Sequence, residues 1–357
     1  MKRPARHIAS VLLVTALAAC SAPNPYYDAS KPHHTREGFR NNYPHDPKGS
    51  FWAWQWERLR RGLPKKPPEG YRFDFVKQSI LQLPNPSVTW IGHATVLLRV
   101  GGLNILTDPQ FSERASPVPF AGPKRVVPPA IPLRELPHID AVLISHSHYD
   151  HLDAPSVTAL AKQPGGPPLF FVGLGLKTWF AQLGIENVAE MDWWEQRTLS
   201  GVTIHFAPVQ HWSARTPFDA SRTLWGAYVV EHPELRFFFA GDTGYSKDFA
   251  DIGERFGPID LAALPIGAYE PRWFMRIFHV NPEEAVQIHS DLKARHSMAI
   301  HWGTFERLTD ESLYEPPMRL AQALKARNLA DDAFWVLRHG ETRSIERRSS
   351  NNVAVER

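Results

Sequence analysis

An α/β fold is predicted for residues 87–345, on three observations. From Val88 onward, short apolar runs alternate with stretches of helical spacing. Asn281-Pro282-Glu283-Glu284 is a helix start, with Asn as N-cap, Pro in the first position and acids in the first turn. The chain is 43% hydrophobic and 22% charged, apolar enough to bury a core and too evenly charged for disorder.

The elements follow in order. Residues 95–100 and 103–107 read as a hairpin around Gly101-Gly102. Residues 141–145 read as a short buried strand ending in a polar cluster. Further strands are expected over 202–207, 225–230, 236–240, 261–264 and 298–300. Helices are expected over 154–163, 174–183 and 282–295, covering the outer faces; Ala285, Ile288 and Leu292 give the last its apolar stripe. Residues 20–86 read as a tether and an irregular segment, and 346–357 as a frayed tail. Within that segment Trp52, Trp54 and Trp56 alternate, which suits one face of an extended stretch laid on the core or turned to a membrane. Arg60, Arg61, Lys65 and Lys66 read as a solvated turn, with contact to anionic lipid as the alternative.

Residues 1–19 have the layout of an export signal. A basic start, Lys2 to Arg6, precedes an apolar run over 8–19 that is too short to span a bilayer. Small residues lead into Cys20, the only cysteine, as in bacterial lipoprotein signals; an ordinary secretory signal is the alternative. The expectation is a lipidated Cys20 holding the protein to the cell envelope, with Ser21 favouring the outer membrane on its periplasmic side. Lys2, Arg3 and Arg6 account for the whole net charge of +3, so the remaining chain is neutral, which argues against charge-driven nucleic-acid binding. A single cysteine rules out internal disulfides and cysteine-cluster zinc sites, leaving His and carboxylates as metal ligands.

Such ligands are present in Ser145-His146-Ser147-His148-Tyr149-Asp150-His151, at the end of a buried strand. Alternate residues of an extended segment point the same way, so His146 and His148 can meet one cation, and a turn could send Asp150 and His151 toward a second. His211, Asp242 and His301 each follow a predicted strand, and ligands at several strand ends converge when the strands share a sheet edge. Imidazole nitrogen and carboxylate oxygen without thiolate suit a pair of zinc ions. The chain has 17 His, and His33, His34, His45, His232 and His296 are read as structural or exposed.

His146-x-His148-x-Asp150-His151 with His211, Asp242 and His301 in order resembles the metallo-β-lactamase-fold hydrolases, over roughly residues 87–338. Trp90-Ile91-Gly92-His93-Ala94-Thr95, Thr107-Asp108-Pro109, Phe239-Ala240-Gly241-Asp242-Thr243-Gly244-Tyr245 and Ile300-His301-Trp302-Gly303-Thr304-Phe305 are similar to the N-acylphosphatidylethanolamine-hydrolysing phospholipases D, as is Gly38-Phe39-Arg40-Asn41-Asn42. The resemblance implies an αββα sandwich with metals at one edge. It implies one Zn2+ on His146, His148 and His211, a second on Asp150, His151 and His301, and Asp242 bridging both. The lipoprotein signal departs from the animal enzymes, which leaves membrane attachment and oligomeric state open; a dimer is compatible with the family.

Two zinc ions lower the pKa of a shared water and supply hydroxide near neutral pH, for attack on a phosphodiester. Asp150 is expected to orient that nucleophile or take its proton, making Asp150 and Asp242 the catalytic carboxylates. Asp108 is expected to orient a ligand His, a turn cap being the alternative, and His93 to face the site or simply pack. The resemblance places Tyr149 and His279 in the substrate pocket. It implies cleavage of N-acylphosphatidylethanolamine, a membrane phospholipid, to phosphatidic acid and an N-acylethanolamine. A lactonase or other esterase of the same fold would share all seven ligands, and a non-catalytic envelope lipoprotein is the remote alternative.

Overall fold

The computed structural model describes residues 23–62, 75–76 and 84–348. Cys20 and the signal before it, Lys65, Lys66 and residues 349–357 lie outside the described residues.

Two seven-stranded sheets pack face to face. In chain order the first takes β1 (Ser87–Gly92), β2 (Thr95–Val100), β3 (Leu103–Thr107), β5 (Ala141–Leu143), β6 (Leu169–Gly173) and β7 (Val188–Met191), with a two-residue β4 (Lys124–Arg125) set apart. The second takes β8 (Gln196–Leu199), β9 (Val202–Ala207), β10 (Ala227–His232), β11 (Leu235–Phe239), β12 (Leu261–Pro265) and β13 (His296–Ile300). A short β14 (Phe305–Glu306) pairs with β4, β15 (Phe334–Trp335) completes the second sheet, and β16 (Thr342–Ser344) crosses back beside β1. The hairpin at Gly101-Gly102 is a two-residue turn with φ +59° and +82°, values that favour glycine at both positions.

β12, Leu-Ala-Ala-Leu-Pro, is buried along its whole length between parallel neighbours, as an unbroken apolar run requires. Phe206, Tyr228, Phe237 and Phe239 of the second sheet share one core with Val96, Leu98 and Phe171 of the first. Outside the first sheet, α2 (Ala154–Leu160) and α3 (Leu176–Gln182) set Val157, Leu160, Leu176 and Phe180 against Val142 and Phe170. Outside the second lie α4 (Asp248–Phe256), α6 (Pro282–Asp291) and α7 (Glu315–Ala326), while a single turn, α5 (Arg272–Met275), lies over the sheet edge. Asn281 caps α6 in a full capping box with Glu284.

The layers are helix, sheet, sheet, helix: the αββα sandwich. Strands 95–100, 103–107 and 202–207 match the expected bounds, and the other expected strand ends differ by at most two residues.

One expected element is corrected. The tryptophan cluster is not extended but a helix, α1 (Phe51–Arg61), capped by Ser50 and ending in Arg58, Arg60 and Arg61. Two residues turn a helix by about 200°, so Trp54 faces inward while Trp52 and Trp56 point out together. Trp54 stacks on Phe274 at 5.0 Å and donates to Asp310.

Candidate metal centre

Strands β1, β3 and β5 share one direction in the first sheet, as do β9, β11 and β13 in the second, and their C-terminal ends meet at one edge. Ser145 is pinned where β5 ends: its N–H and hydroxyl both donate to Asp108, and its carbonyl accepts from Gly226 of the opposite sheet. Gly241 passes so close that a Cβ there would lie 2.5 Å from that of Ser145. The chain then extends through His146 and His148, and the His148 carbonyl accepts from the N–H groups of His151 and Leu152. That turn brings Asp150 and His151 back to the cluster.

The seven predicted ligands come together in two overlapping groups. His146 Nε2 lies 2.8 Å and His211 Nε2 3.3 Å from His148 Nδ1, and both lie 3.9 Å from Asp242 Oδ2. His151 Nε2 lies 3.0 Å from Asp242 Oδ2 and 3.5 Å from Asp150 Oδ2. His301 Nε2 lies 3.1 Å from Asp242 Oδ1 and 3.2 Å from Asp150 Oδ2. Asp242 belongs to both groups. Ligand atoms around a tetrahedral zinc stand about 3.3 Å apart, inside this spread.

The hydrogen bonds behind the ring nitrogens show that these groups fit cations. Ser145 gives its hydroxyl proton to Asp108, so it accepts from His146 Nδ1 at 2.9 Å and leaves His146 Nε2 as a bare lone pair. His211 Nδ1 donates to the Phe278 carbonyl at 2.9 Å, which bares His211 Nε2. His151 Nδ1 donates to Asp108 at 2.6 Å and its buried Nε2 faces two carboxylates; burial works downward on this imidazole, but Asp242 and Asp150 outweigh it and push the group well above the usual histidine range. Asp242 Oδ1 is buried without a hydrogen bond. Buried carboxylates need positive charge beside them, a proton on the facing imidazole or a metal ion in its place.

Electrostatics agree with that demand. Burial, reinforced by neighbouring imidazoles, holds His146 and His211 well below the usual histidine range, and burial takes His148 down to about 4. All three are therefore neutral, as metal ligands must be. On His301 burial works downward, but Asp242 and Asp150 outweigh it and push the group up to about 9. A divalent cation answers the same two carboxylates.

The other predicted residues surround this cluster. Asp108 touches His151 directly and His146 through Ser145. His93 Nε2 lies 3.2 Å from Asp150 Oδ2, and the His93 carbonyl accepts from the backbone of His301. His279 Nδ1 is 3.8 Å from Asp242 and Tyr149 donates to the Arg215 carbonyl; both line a cavity of about 430 Å³. His148, Asp150 and Asp242 form its floor, while Phe51, Trp54, Trp212 and Phe278 are among its walls. Three residues went unforeseen in the sequence. Ser145 could have been suspected from its place beside the motif. Arg215, packed over Tyr149 at 4.1 Å, carries no local signal, and Asn41, which accepts from the backbone of His211, lies in the family-like 38–42 stretch but its role there was not legible.

Comparisons with known proteins agree with this geometry. Residues 103–302 match the model of the beta-lactamase superfamily domain. The chain is 44% identical over 265 residues to N-acyl-phosphatidylethanolamine-hydrolyzing phospholipase D 1 of Caenorhabditis elegans, covering 71% of this chain and 74% of that one. It is 32% identical to a metal-dependent hydrolase of Methanopyrus kandleri, over 61% of this chain and 84% of that one. Igni18, a metallo hydrolase from Ignicoccus hospitalis, superposes with a TM-score of 0.56 at 21% identity, over 73% of this chain and 98% of that one. The chain belongs to the beta-lactamase superfamily and is a metal-dependent hydrolase of the metallo-β-lactamase fold.

Proposed function

We propose that this protein is a dinuclear zinc phosphodiesterase of the phospholipase D type, which cleaves N-acylphosphatidylethanolamine to phosphatidic acid and an N-acylethanolamine. The observation that carries the reading is the cavity: aromatic walls above a floor of metal ligands suit an amphiphile whose phosphodiester rests on the cations and whose chains leave along the walls. The C. elegans relative, named for this reaction, supports it.

His146, His148 and His211 would hold one zinc, Asp150, His151 and His301 the other, with Asp242 shared. Bound there, the pair would supply Lewis acidity toward the phosphoryl oxygens and acidify a water. The chain's own residues do the rest. Asp150, held by His93 and His301, is placed to orient the attacking water or take its proton. Asp108 fixes the tautomer of His151, and the aromatic walls exclude bulk water and seat the lipid. His279 and Tyr149 line the cavity where the headgroup would sit.

The reading extends to a membrane surface. Trp52 is 79% exposed and Trp56 62% on α1, beside Phe51 at the cavity, and Phe218, 91% exposed, follows the cavity-lining Pro217. Aromatic side chains in such a rim suit the headgroup zone of a bilayer, where a lipidated Cys20 in the bacterial outer membrane would hold the enzyme on the periplasmic side. Among the described residues no helix is long and apolar enough to cross a membrane.

The test is an assay of zinc-loaded protein on N-acylphosphatidylethanolamine in mixed micelles, beside lactones and simple phosphodiesters. Release of phosphatidic acid is expected; hydrolysis of lactones alone would replace the phospholipase reading with the esterase one. Palmitate labelling that left Cys20→Ala as bright as wild type would remove the anchor.

A further inference from the structure

The Gly38-Phe39-Arg40-Asn41-Asn42 stretch lies far from the ligands in sequence, yet it reaches the metal edge. Residues 24–43 form an arm fastened at several points. His33 and His34 bond Asp192 just beyond β7, Phe39 donates to Ser221, and Asn42 donates to Asp248 on α4. Gly38 lies so close to the Ser221 carbonyl that a Cβ there would stand 2.2 Å from its oxygen. Between these fixed points Asn41 turns its amide oxygen inward.

That oxygen takes two donors, the backbone N–H of His211 at 3.0 Å and the indole N–H of Trp225 at 3.2 Å. His211 stands four residues beyond the end of β9, outside the ladder, so no strand partner serves its N–H. The imidazole is held at its other end by Phe278. Backbone and ring are therefore anchored by different parts of the chain, and the bare Nε2 is aimed by both.

We propose that Asn41 is a positioning residue for the three-histidine metal site: by accepting from the His211 backbone it sets how far that imidazole reaches toward His146 and His148. The inference rests on the metal-centre reading above. It makes the arm part of the ligand scaffold rather than a covering for it. Partners behind metal ligands commonly change metal affinity about 10–100-fold, and an anchor on the backbone belongs at the low end.

The test uses the full chain, titrated with Co2+ and Zn2+ against a competing chelator. Asn41→Ala should weaken one of the two sites about tenfold, alter the cobalt absorption of that site, and leave the other unchanged. Asn41→Asp keeps the acceptor oxygen and should bind like wild type. Asn42→Ala loosens the arm at its neighbouring anchor without touching His211, and should keep full affinity at both sites. Affinities of Asn41→Ala within twofold of wild type at both sites overturn the inference while leaving the metal centre intact. Equal losses in Asn41→Ala and Asn42→Ala, or no rescue by Asn41→Asp, overturn it too. A wild-type protein that binds neither metal removes the metal centre and the inference together. Should Asn41→Ala not fold, Asn41→Ser, whose hydroxyl is too short to reach His211, takes its place with the same outcomes.

Discussion

Two buried clusters in this protein are built from the same kinds of side chain and do different things. On the arm, His33 and His34 point their Nε2 atoms at Asp192, 2.7 and 3.1 Å away. At the sheet edge, His151 and His301 do the same toward Asp150 and Asp242. By ligand type and spacing, each group could take a metal ion. The difference is in the charge. Lys31 supplies the cation that Asp192 needs, and His34 spends its second nitrogen on the Tyr26 carbonyl. The sheet edge has two carboxylates faced by imidazoles alone, with no lysine or arginine among the described residues paired with either one. A His–Asp cluster is a latch when a lysine answers its carboxylate, and suits a metal ion when only imidazole protons, which a metal can displace, do so.

Several experiments bear on that contrast. The largest effect is expected at the edge itself. His148→Ala or Asp242→Ala should lower turnover about a thousandfold or more, since metal chemistry supplies several kcal/mol of the barrier reduction. The fold should persist, and metal analysis should show less than the roughly two ions per chain expected of wild type. A near-normal rate in either variant would refute the site.

Asp108→Asn comes next. It replaces an acceptor with an amide beside His151 Nδ1, so the imidazole loses its fixed tautomer. Metal affinity should fall about 10–100-fold, read by chelator competition.

At the latch, Asp192→Ala should destabilise the protein by about 3 kcal/mol, because a buried charge cluster loses its centre. Its metal content should not change. Loss of a bound ion in that variant would mean that the arm cluster is a metal site as well.

The smallest difference is in acid response. Burial raises Asp192, but its bonds to His33 and Lys31 prevail and hold it below the usual carboxylate range. A depressed carboxylate contributes stability that is complete above its unfolded value near about 4 and is lost only as pH falls through the lower folded value. Metal ligands, by contrast, must give up their protons: His301, pushed up to about 9, carries one at neutral pH without metal, so binding weakens about tenfold for each unit of pH lost below that value. From pH 7 to pH 5 metal affinity should therefore fall about a hundredfold while the arm stays latched. Metal content and limited proteolysis of residues 23–48 at pH 7 and pH 5 check this; cleavage of the arm ahead of metal loss reverses the order.

The sequence alone determined what is local. His146-x-His148-x-Asp150-His151 announced a metal site because an extended pair followed by one turn brings those four side chains together within six residues. The strand periods located β2, β3, β5 and β9 to β13 but not β6, β7, β8, β15 or β16, and the residues after the located strand ends were those that meet, because like-directed strands deliver their ends to one edge. The tertiary structure decided the rest. Trp52, Trp54 and Trp56 are compatible with strand or helix, and the packing of Trp54 on Phe274 and Asp310, more than two hundred residues away, goes with the helix. The charge that separates latch from metal centre depends on Lys31 meeting Asp192 across 161 positions, and Asn41 reaches His211 across 170. No spacing rule encodes such contacts. They exist only once two sheets have closed and the arm has been laid over their edge.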